Sequence, residues 1–222
     1  MPGAGRSKLR SVPCALLVAA LALLAAGCGG GSDSQTTPGC DDVDAPAPRD
    51  DGGQTAPTAP LDASKTWTLT FDTSCGTFAV TLDLDSAPNT AASLVSLARA
   101  GYFDDTEFHR IVPGFVIQGG DPTQSGSGGP GYSTTDPPAP GTAYTKGVMA
   151  MAKTATEAAG TAGSQFFIVT GADAGLPPEY AVVGRVTSGL AVVERIGKLG
   201  DPATEQPTQP VVIDSVTVGS GS

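Results

Sequence analysis

Arg110 and Gln118 are the residues of this chain whose type and setting point to chemistry. They stand in the run Phe108-His109-Arg110-Ile111-Val112-Pro113-Gly114-Phe115-Val116-Ile117-Gln118-Gly119-Gly120-Asp121, where most neighbours are apolar. A guanidinium and an amide among residues that seek burial need hydrogen-bond partners, so packing alone rarely places them there. Pro113-Gly114 divides two apolar runs, which predicts two strands joined by a turn. A guanidinium held in such a setting can donate to an atom on which negative charge develops during a reaction.

Other chemistries find less support. The chain has one His, His109, in the same run. A serine hydrolase needs a His as base, and no Gly-x-Ser-x-Gly elbow accompanies this one. His109 is read as packing and hydrogen-bonding in a sheet wall. With no second His and no Cys-x-x-Cys, neither a zinc nor a haem site is expected, and no cofactor. Gly126-Ser-Gly128-Gly-Pro-Gly131 matches Gly-x-Gly-x-x-Gly in form. A dinucleotide site would need a helix to follow, and Pro130 with the polar run after it argues for a glycine-rich loop instead. Asp104, Asp105 and Glu107 read as a solvated turn before a strand.

The elements that must position Arg110 and Gln118 begin well into the chain. Residues 1–27 have a basic start in Arg6, Lys8 and Arg10, then a mostly apolar run from Val12 to Ala26. This is a signal-peptide pattern, since fifteen apolar residues fall short of the roughly 20 that span a bilayer. Leu24-Ala25-Ala26-Gly27-Cys28 resembles the lipobox of bacterial lipoproteins, which implies lipidation at Cys28. The expected location is therefore the outer face of a membrane, reached through a lipid anchor. Beyond this leader, nine Lys and Arg face 22 Asp and Glu, a net charge of −13 against −10 for the whole chain. Such a surface repels nucleic acid, so no nucleic-acid partner is expected.

Residues 28–64 are rich in Gly, Ser, Thr, Pro, Ala and Asp, with Arg49 the only base. They read as a disordered tether. Cys40 and Cys75 could pair across it in an oxidising compartment, or remain two separate thiols. From residue 65 the pattern changes, so 65–222 is read as one domain. Trp67–Phe71 and Phe78–Leu84 alternate as half-buried strands do. Pro88 opens a helix carrying Leu94, Val95, Leu97 and Ala98 on one face, and Gly101 closes it. Further strands are expected over 147–152, 165–169, 180–186 and 211–218, with a second helix over Leu190–Leu199 closed by Gly200. Many strands and two helices predict an all-β barrel or sandwich with helical covers.

Phe108–Asp121 resembles the signature of the cyclophilins, the peptidyl-prolyl isomerases. Gly147–Ala152 followed by Gly163–Ile168 resembles their second block, and Tyr180–Val186 their third. Asp85–Thr90 and Gly101-Tyr102-Phe103 also fit, so the likeness runs from about Thr66 to Val218. It implies a closed eight-stranded antiparallel barrel capped by two helices, acting on proline-containing polypeptides; nothing in the sequence calls for an obligate partner chain, so a monomer is expected. By the same resemblance, Arg110 is the catalytic donor and Gln118 orients it. Phe115, Val116, Phe167 and Leu176 line a proline pocket, and Gln165 hydrogen-bonds the substrate. Ala152 and Lys153 contact the peptide through backbone. Tyr180 stands where the family has His and, still able to donate a hydrogen bond, is counted among the substrate-binding residues; Lys153 stands where the family often has Asn, Val183 where Phe is frequent, and Gly175 where Trp is often found. Two alternatives remain in view: a groove that binds proline peptides without turnover, and, for Arg110, a purely structural ion pair with an acid such as Glu107.

Overall fold

The computed structural model describes residues 38–221, so the expected leader and Cys28 lie outside the described residues. The first alternating runs form β1 (Thr66–Thr73) and β2 (Phe78–Leu82), antiparallel with Leu69 opposite Val80. Their inward residues Leu69, Phe71, Phe78 and Val80 are buried, and the Phe71 and Phe78 rings stack with centroids 4.8 Å apart. Helix α1 (Pro88–Arg99) starts at its proline, whose missing N–H costs nothing in the first turn. It ends at Gly101, φ 66°, with Gly101 N donating to Ala98 O and Tyr102 N to Leu97 O. That pair of bonds is the glycine-closed helix end that satisfies the last carbonyls.

Three strands follow: β3 (Thr106–Glu107), β4 (Arg110–Val112) and β5 (Val116–Gly119). The turn between β4 and β5 is the expected Pro113-Gly114, with Gly114 at φ 72°. After a long Gly- and Pro-rich loop come β7 (Val148–Met151), β9 (Phe166–Val169), β10 (Val182–Ser188), α2 (Leu190–Ile196) and β11 (Val212–Gly221). Two-residue strands β6 (Thr134–Thr135) and β8 (Thr161–Ala162) pair outside the main sheet.

The main sheet is antiparallel throughout and has the order β3-β11-β1-β2-β10-β7-β9-β5-β4. Its two end strands are neighbours in the chain, joined only by Phe108-His109. The sheet therefore curls until both ends reach one short stretch, which is the expected barrel. The count is nine rather than eight because that stretch is divided into β3 and β4. At the seam, Phe108 N donates to Val211 O (3.0 Å) and Ile111 N to Glu205 O (2.8 Å). The second helix is shorter than expected: it stops at Ile196, and Gly200 lies beyond it against β4. A Cβ at Gly200 would overlap the Ile111 carbonyl.

The reading of 28–64 as a disordered tether is corrected for its described part. Residues 38–64 contain no helix or strand, yet they run along the barrel as a strap. Cys40 is joined to Cys75 by a disulfide, and Asp41 N donates to Ser74 O. Arg49 Nη2 donates to the carbonyls of Tyr102 (2.9 Å) and Asp104 (2.7 Å). Gly52 N donates to Gly129 O, and Gln54 N to Pro130 O. Composition misled because the strap is held by backbone and charge-assisted hydrogen bonds rather than by apolar burial. No helix among the described residues is long and apolar enough to cross a membrane.

The Cys40–Cys75 bridge closes a loop with a sequence separation of 35. Constraining that loop in the unfolded chain is expected to stabilise the fold by about 3–4 kcal/mol. Urea denaturation of the chain with and without reductant should show a loss of that size. Coincident curves would mean that the bridge does not constrain the domain.

Candidate active site

The site is built from one row of cross-strand partners. Arg110 on β4 stands opposite Gln118 on β5, Gln118 opposite Phe167 on β9, and Phe167 opposite Ala150 on β7. Because side chains alternate across a strand, these four share the outer face. Their neighbours Ile111, Ile117, Ile168 and Met149 point into the barrel and are fully buried. The outer face is also covered, by a second apolar cluster of Val116, Tyr144, Val148, Ala150, Phe167 and Val169. Burial on both faces explains why Phe166–Val169 reads as an unbroken apolar run.

An open cleft of about 240 Å³ lies on this outer face. Arg110, Phe115, Val116, Gln118, Ala152, Lys153, Phe167, Leu176 and Tyr180 line it. The structure thus brings together nine of the ten residues assigned to catalysis and substrate binding. Gln165 is the tenth. It lines an adjoining cavity of about 620 Å³ beside the Gly126–Gly131 loop, and Gln118, Ala152 and Lys153 line both spaces.

A chain of hydrogen bonds runs along the polar side of the cleft. Arg110 Nε donates to Glu205 Oε2 at 2.7 Å, and Arg110 Nη1 to Gln118 Oε1 at 3.3 Å. Gln118 Nε2 donates to Gln165 Oε1 (3.0 Å), and Gln165 Nε2 to the Gly128 carbonyl (2.9 Å). The acid that pairs with Arg110 is therefore Glu205, not Glu107. Glu107 is buried, one of its oxygens has no partner, and burial pushes its carboxyl up. The hydrogen bonds of the guanidinium run from Nε and Nη1, and Nη2 makes none among the described residues.

The apolar side is held by aromatic contacts. Tyr180 lies edge-on to Phe167 with centroids 5.6 Å apart. Fully buried Tyr144 fixes the backbone of Tyr180 from behind. Its hydroxyl donates to Tyr180 O (2.8 Å) and accepts from Tyr180 N (3.0 Å). Lys153 departs from the expected backbone-only role. Its ammonium pairs with Glu179 at 3.0 Å and lies 5.5 Å from the Tyr180 ring centre, while its side chain is almost wholly covered. Lys153 thus braces the Tyr180 side of the cleft.

His109 packs as expected but does not hydrogen-bond as expected. Both ring nitrogens are buried without a partner of good geometry, although the backbone of Glu107 is close. Burial lowers its pKa, Arg110 acting the same way and Asp121 opposing it, so the imidazole is neutral near pH 7. It does not line the cleft.

Asp121 organises the glycine loop. Its carboxylate accepts from Thr123 N and Oγ1 (both 2.8 Å), Gly126 N (2.7 Å) and Gly128 N (3.1 Å). The amides that a phosphate would need at Gly126 and Gly128 are thus already taken by the protein. Burial alone would raise this carboxyl, but the Thr123 hydroxyl and the three amides together hold it below the ordinary value.

Sequence reasoning missed Glu205, Tyr144 and the role of Asp121. Asp-x-Thr at 121–123 is a local turn signal that pointed to the last of these. Tyr144 and Glu205 act only through tertiary contacts, and no local pattern marks them.

The curled antiparallel barrel thus carries on its outer face a cleft walled by one arginine, one glutamine and an aromatic cluster, with a second glutamine, Gln165, in the adjoining cavity. The sequence model described as "Cyclophilin type peptidyl-prolyl cis-trans isomerase/CLD" matches residues 68–218. The chain belongs to that family and is an enzyme of that kind. Peptidyl-prolyl cis-trans isomerase A of Mycobacterium tuberculosis is 37% identical over 171 residues, 69% of this chain and 92% of the relative. Peptidyl-prolyl cis-trans isomerase-like 1 of Aspergillus fumigatus is 38% identical over 149 residues, 65% of this chain and 91% of the relative. A cyclophilin type isomerase of Cryptosporidium parvum, solved in the presence of the dipeptide Ala-Pro, superposes with a TM-score of 0.64 at 28% identity. The match covers 69% of this chain and 99% of that one.

The lowered Asp121 carboxyl makes a pH prediction. A folded-state value below the unfolded one stabilises the fold above the unfolded pKa, and this is lost as pH falls through the folded value. Asp121→Asn should therefore be less stable than the parent by about 1–3 kcal/mol at neutral pH. The gap should begin to narrow near about pH 4 and close only as pH falls further, through the lowered folded value. Urea midpoints measured across pH check it, and a gap that does not change with pH would refute it.

Proposed function

We propose that this chain catalyses cis-trans rotation about Xaa-Pro bonds in exported or unfolded polypeptides, outside the cytoplasmic membrane. The observation that carries the catalytic reading is the Arg110–Gln118–Gln165 chain beside a slot walled by Phe115, Val116, Phe167, Leu176 and Tyr180. The amide to be rotated is planar by resonance, with a barrier of about 18–20 kcal/mol. No bond breaks, so no nucleophile is needed. What must be stabilised is the twisted amide, whose nitrogen lone pair is localised and whose carbonyl is no longer conjugated. The apolar slot receives the proline ring and excludes water from it. Arg110 donates to the atom on which the lone pair localises, and Gln118 holds the guanidinium from the β5 side. A donor engaged more strongly by the twisted state than by either planar isomer raises kcat. Lowering the barrier by about 7 kcal/mol gives roughly a 10⁵-fold acceleration.

Export is supported by three features: the basic-then-apolar leader pattern of residues 1–27, the following Cys28, and the Cys40–Cys75 disulfide, a bond that persists in oxidising compartments. The lipid anchor holds the enzyme at a membrane, and its substrates are proline-containing chains there. In the expressing bacterium, Cys28→Ser should move the protein from the membrane fraction to the soluble fraction. Unchanged partitioning would rule the anchor out.

The catalytic reading is tested with a proline-isomerisation assay on short peptides. The parent should accelerate isomerisation, and Arg110→Ala should lower kcat/KM by about 10²–10³-fold. Phe167→Ala should act mainly by raising KM, since it opens the slot. A parent without activity would make the groove a binding site only, and an unimpaired Arg110→Ala would remove Arg110 from catalysis.

A further inference from the structure

Glu205 lies outside every stretch that resembles the family's motif blocks, in the segment between α2 and β11. Its carboxylate nevertheless makes the shortest contact to the Arg110 guanidinium, 2.7 Å at Nε. We propose that Glu205 is a positioning residue for isomerisation, setting the plane of the Arg110 guanidinium so that Nη2 faces the substrate. This rests on the reading of Arg110 as the catalytic donor.

The backbone around Glu205 is built to present it. Its φ of 60° lies in the left-handed region, which a residue with a side chain adopts only where its surroundings enforce it. They do so at both backbone groups. Glu205 N donates to Asp201 O (2.7 Å), and Glu205 O accepts from Ile111 N (2.8 Å). The second bond is made to the residue next to Arg110, so Glu205 grips β4 through main chain and side chain at once. The loop itself is closed. Asp201 Oδ1 accepts from Ala203 N and Thr204 N, Asp201 N donates to Gln206 O, and Thr208 N to Leu199 O. Gly200 lets the loop lie flat on the Ile111 carbonyl, which a Cβ would prevent.

Folding stability does not account for this arrangement. The Arg110 and Glu205 side chains are 34% and 46% exposed, and an ion pair as open as that contributes little to folding. Its effect falls on geometry. The arginine side chain turns about several bonds, and Gln118 alone fixes only one end of the guanidinium, at 3.3 Å. A second contact at Nε, on the edge opposite Nη1, fixes the plane, and Nη2 keeps N–H groups that make no hydrogen bond among the described residues. An ill-aimed donor still allows peptide to enter the slot but stabilises the twisted amide less well, so kcat falls while KM holds.

The experiment measures kcat, KM and melting temperature for the full chain, Glu205→Ala, Glu205→Gln and Arg110→Ala, and for Glu205→Ala in the Arg110→Ala background. Glu205→Ala should lower kcat about tenfold to a hundredfold with little change in KM. Glu205→Gln, which keeps an acceptor for Nε, should recover most of that loss. In the Arg110→Ala background the same change should have no further effect. Full activity in Glu205→Ala overturns the proposal, as does a loss confined to KM or an equal loss in both backgrounds. If Glu205→Ala does not fold, Glu205→Asp, which withdraws the carboxylate by one methylene, should show the kcat loss instead. An unchanged kcat in Glu205→Asp overturns the proposal in the same way. A parent that does not accelerate isomerisation refutes the enzymatic reading itself, which separates the two failures.

Discussion

The cleft depends on the register in which β4, β5, β9 and β7 pair. With Arg110 opposite Gln118, Gln118 opposite Phe167 and Phe167 opposite Ala150, one row of outward positions carries both the guanidinium and the apolar wall of the cleft. A slip of one residue would turn Ile111, Ile117 and Ile168 outward and send Arg110 and Gln118 into the core. The inward row, with Phe71, Phe78 and Phe166 behind it, fixes the register by burial. The chemistry is thus specified by hydrophobic packing on the opposite face of the same strands. This is also why Arg110 and Gln118 sit among apolar neighbours in the sequence.

Much of this was legible from local pattern. The Pro113-Gly114 turn, the α1 boundaries at Pro88 and Gly101, and the alternation of β1 and β2 are short-range signals, and the structure follows them. Their resemblance to the cyclophilin blocks gave the slot residues, which the fold brings together. What local pattern could not give were partners distant in sequence. Glu205 is 95 residues from Arg110, and Tyr144 is 36 from Tyr180. A buried tyrosine and a half-buried glutamate in loops carry no periodicity. His109 was half legible: its burial follows from its apolar neighbours, but its lack of hydrogen bonds does not.

The strap marks the limit of compositional reasoning. A segment poor in large apolar residues has little surface to bury, and disorder is the ordinary inference. Here the disulfide at Cys40 and the guanidinium of Arg49 on two carbonyls anchor it at spaced points. Beyond them, backbone bonds from Gly52 and Gln54 to Gly129 and Pro130 place it along the glycine loop that holds Gln165. The strap precedes residues 68–218, the part of the chain that matches the family model.

The seam at Phe108-His109 bears on how such a protein can handle other polypeptides. An open sheet presents a row of unpaired amides and carbonyls, onto which a stray extended segment can add as a new strand and seed aggregation. In this barrel the outermost strands meet, and the amides of Phe108 and Ile111 are taken by Val211 and Glu205. An extended segment therefore finds these seam amides already paired, while the side-chain cleft beside Arg110 stays open.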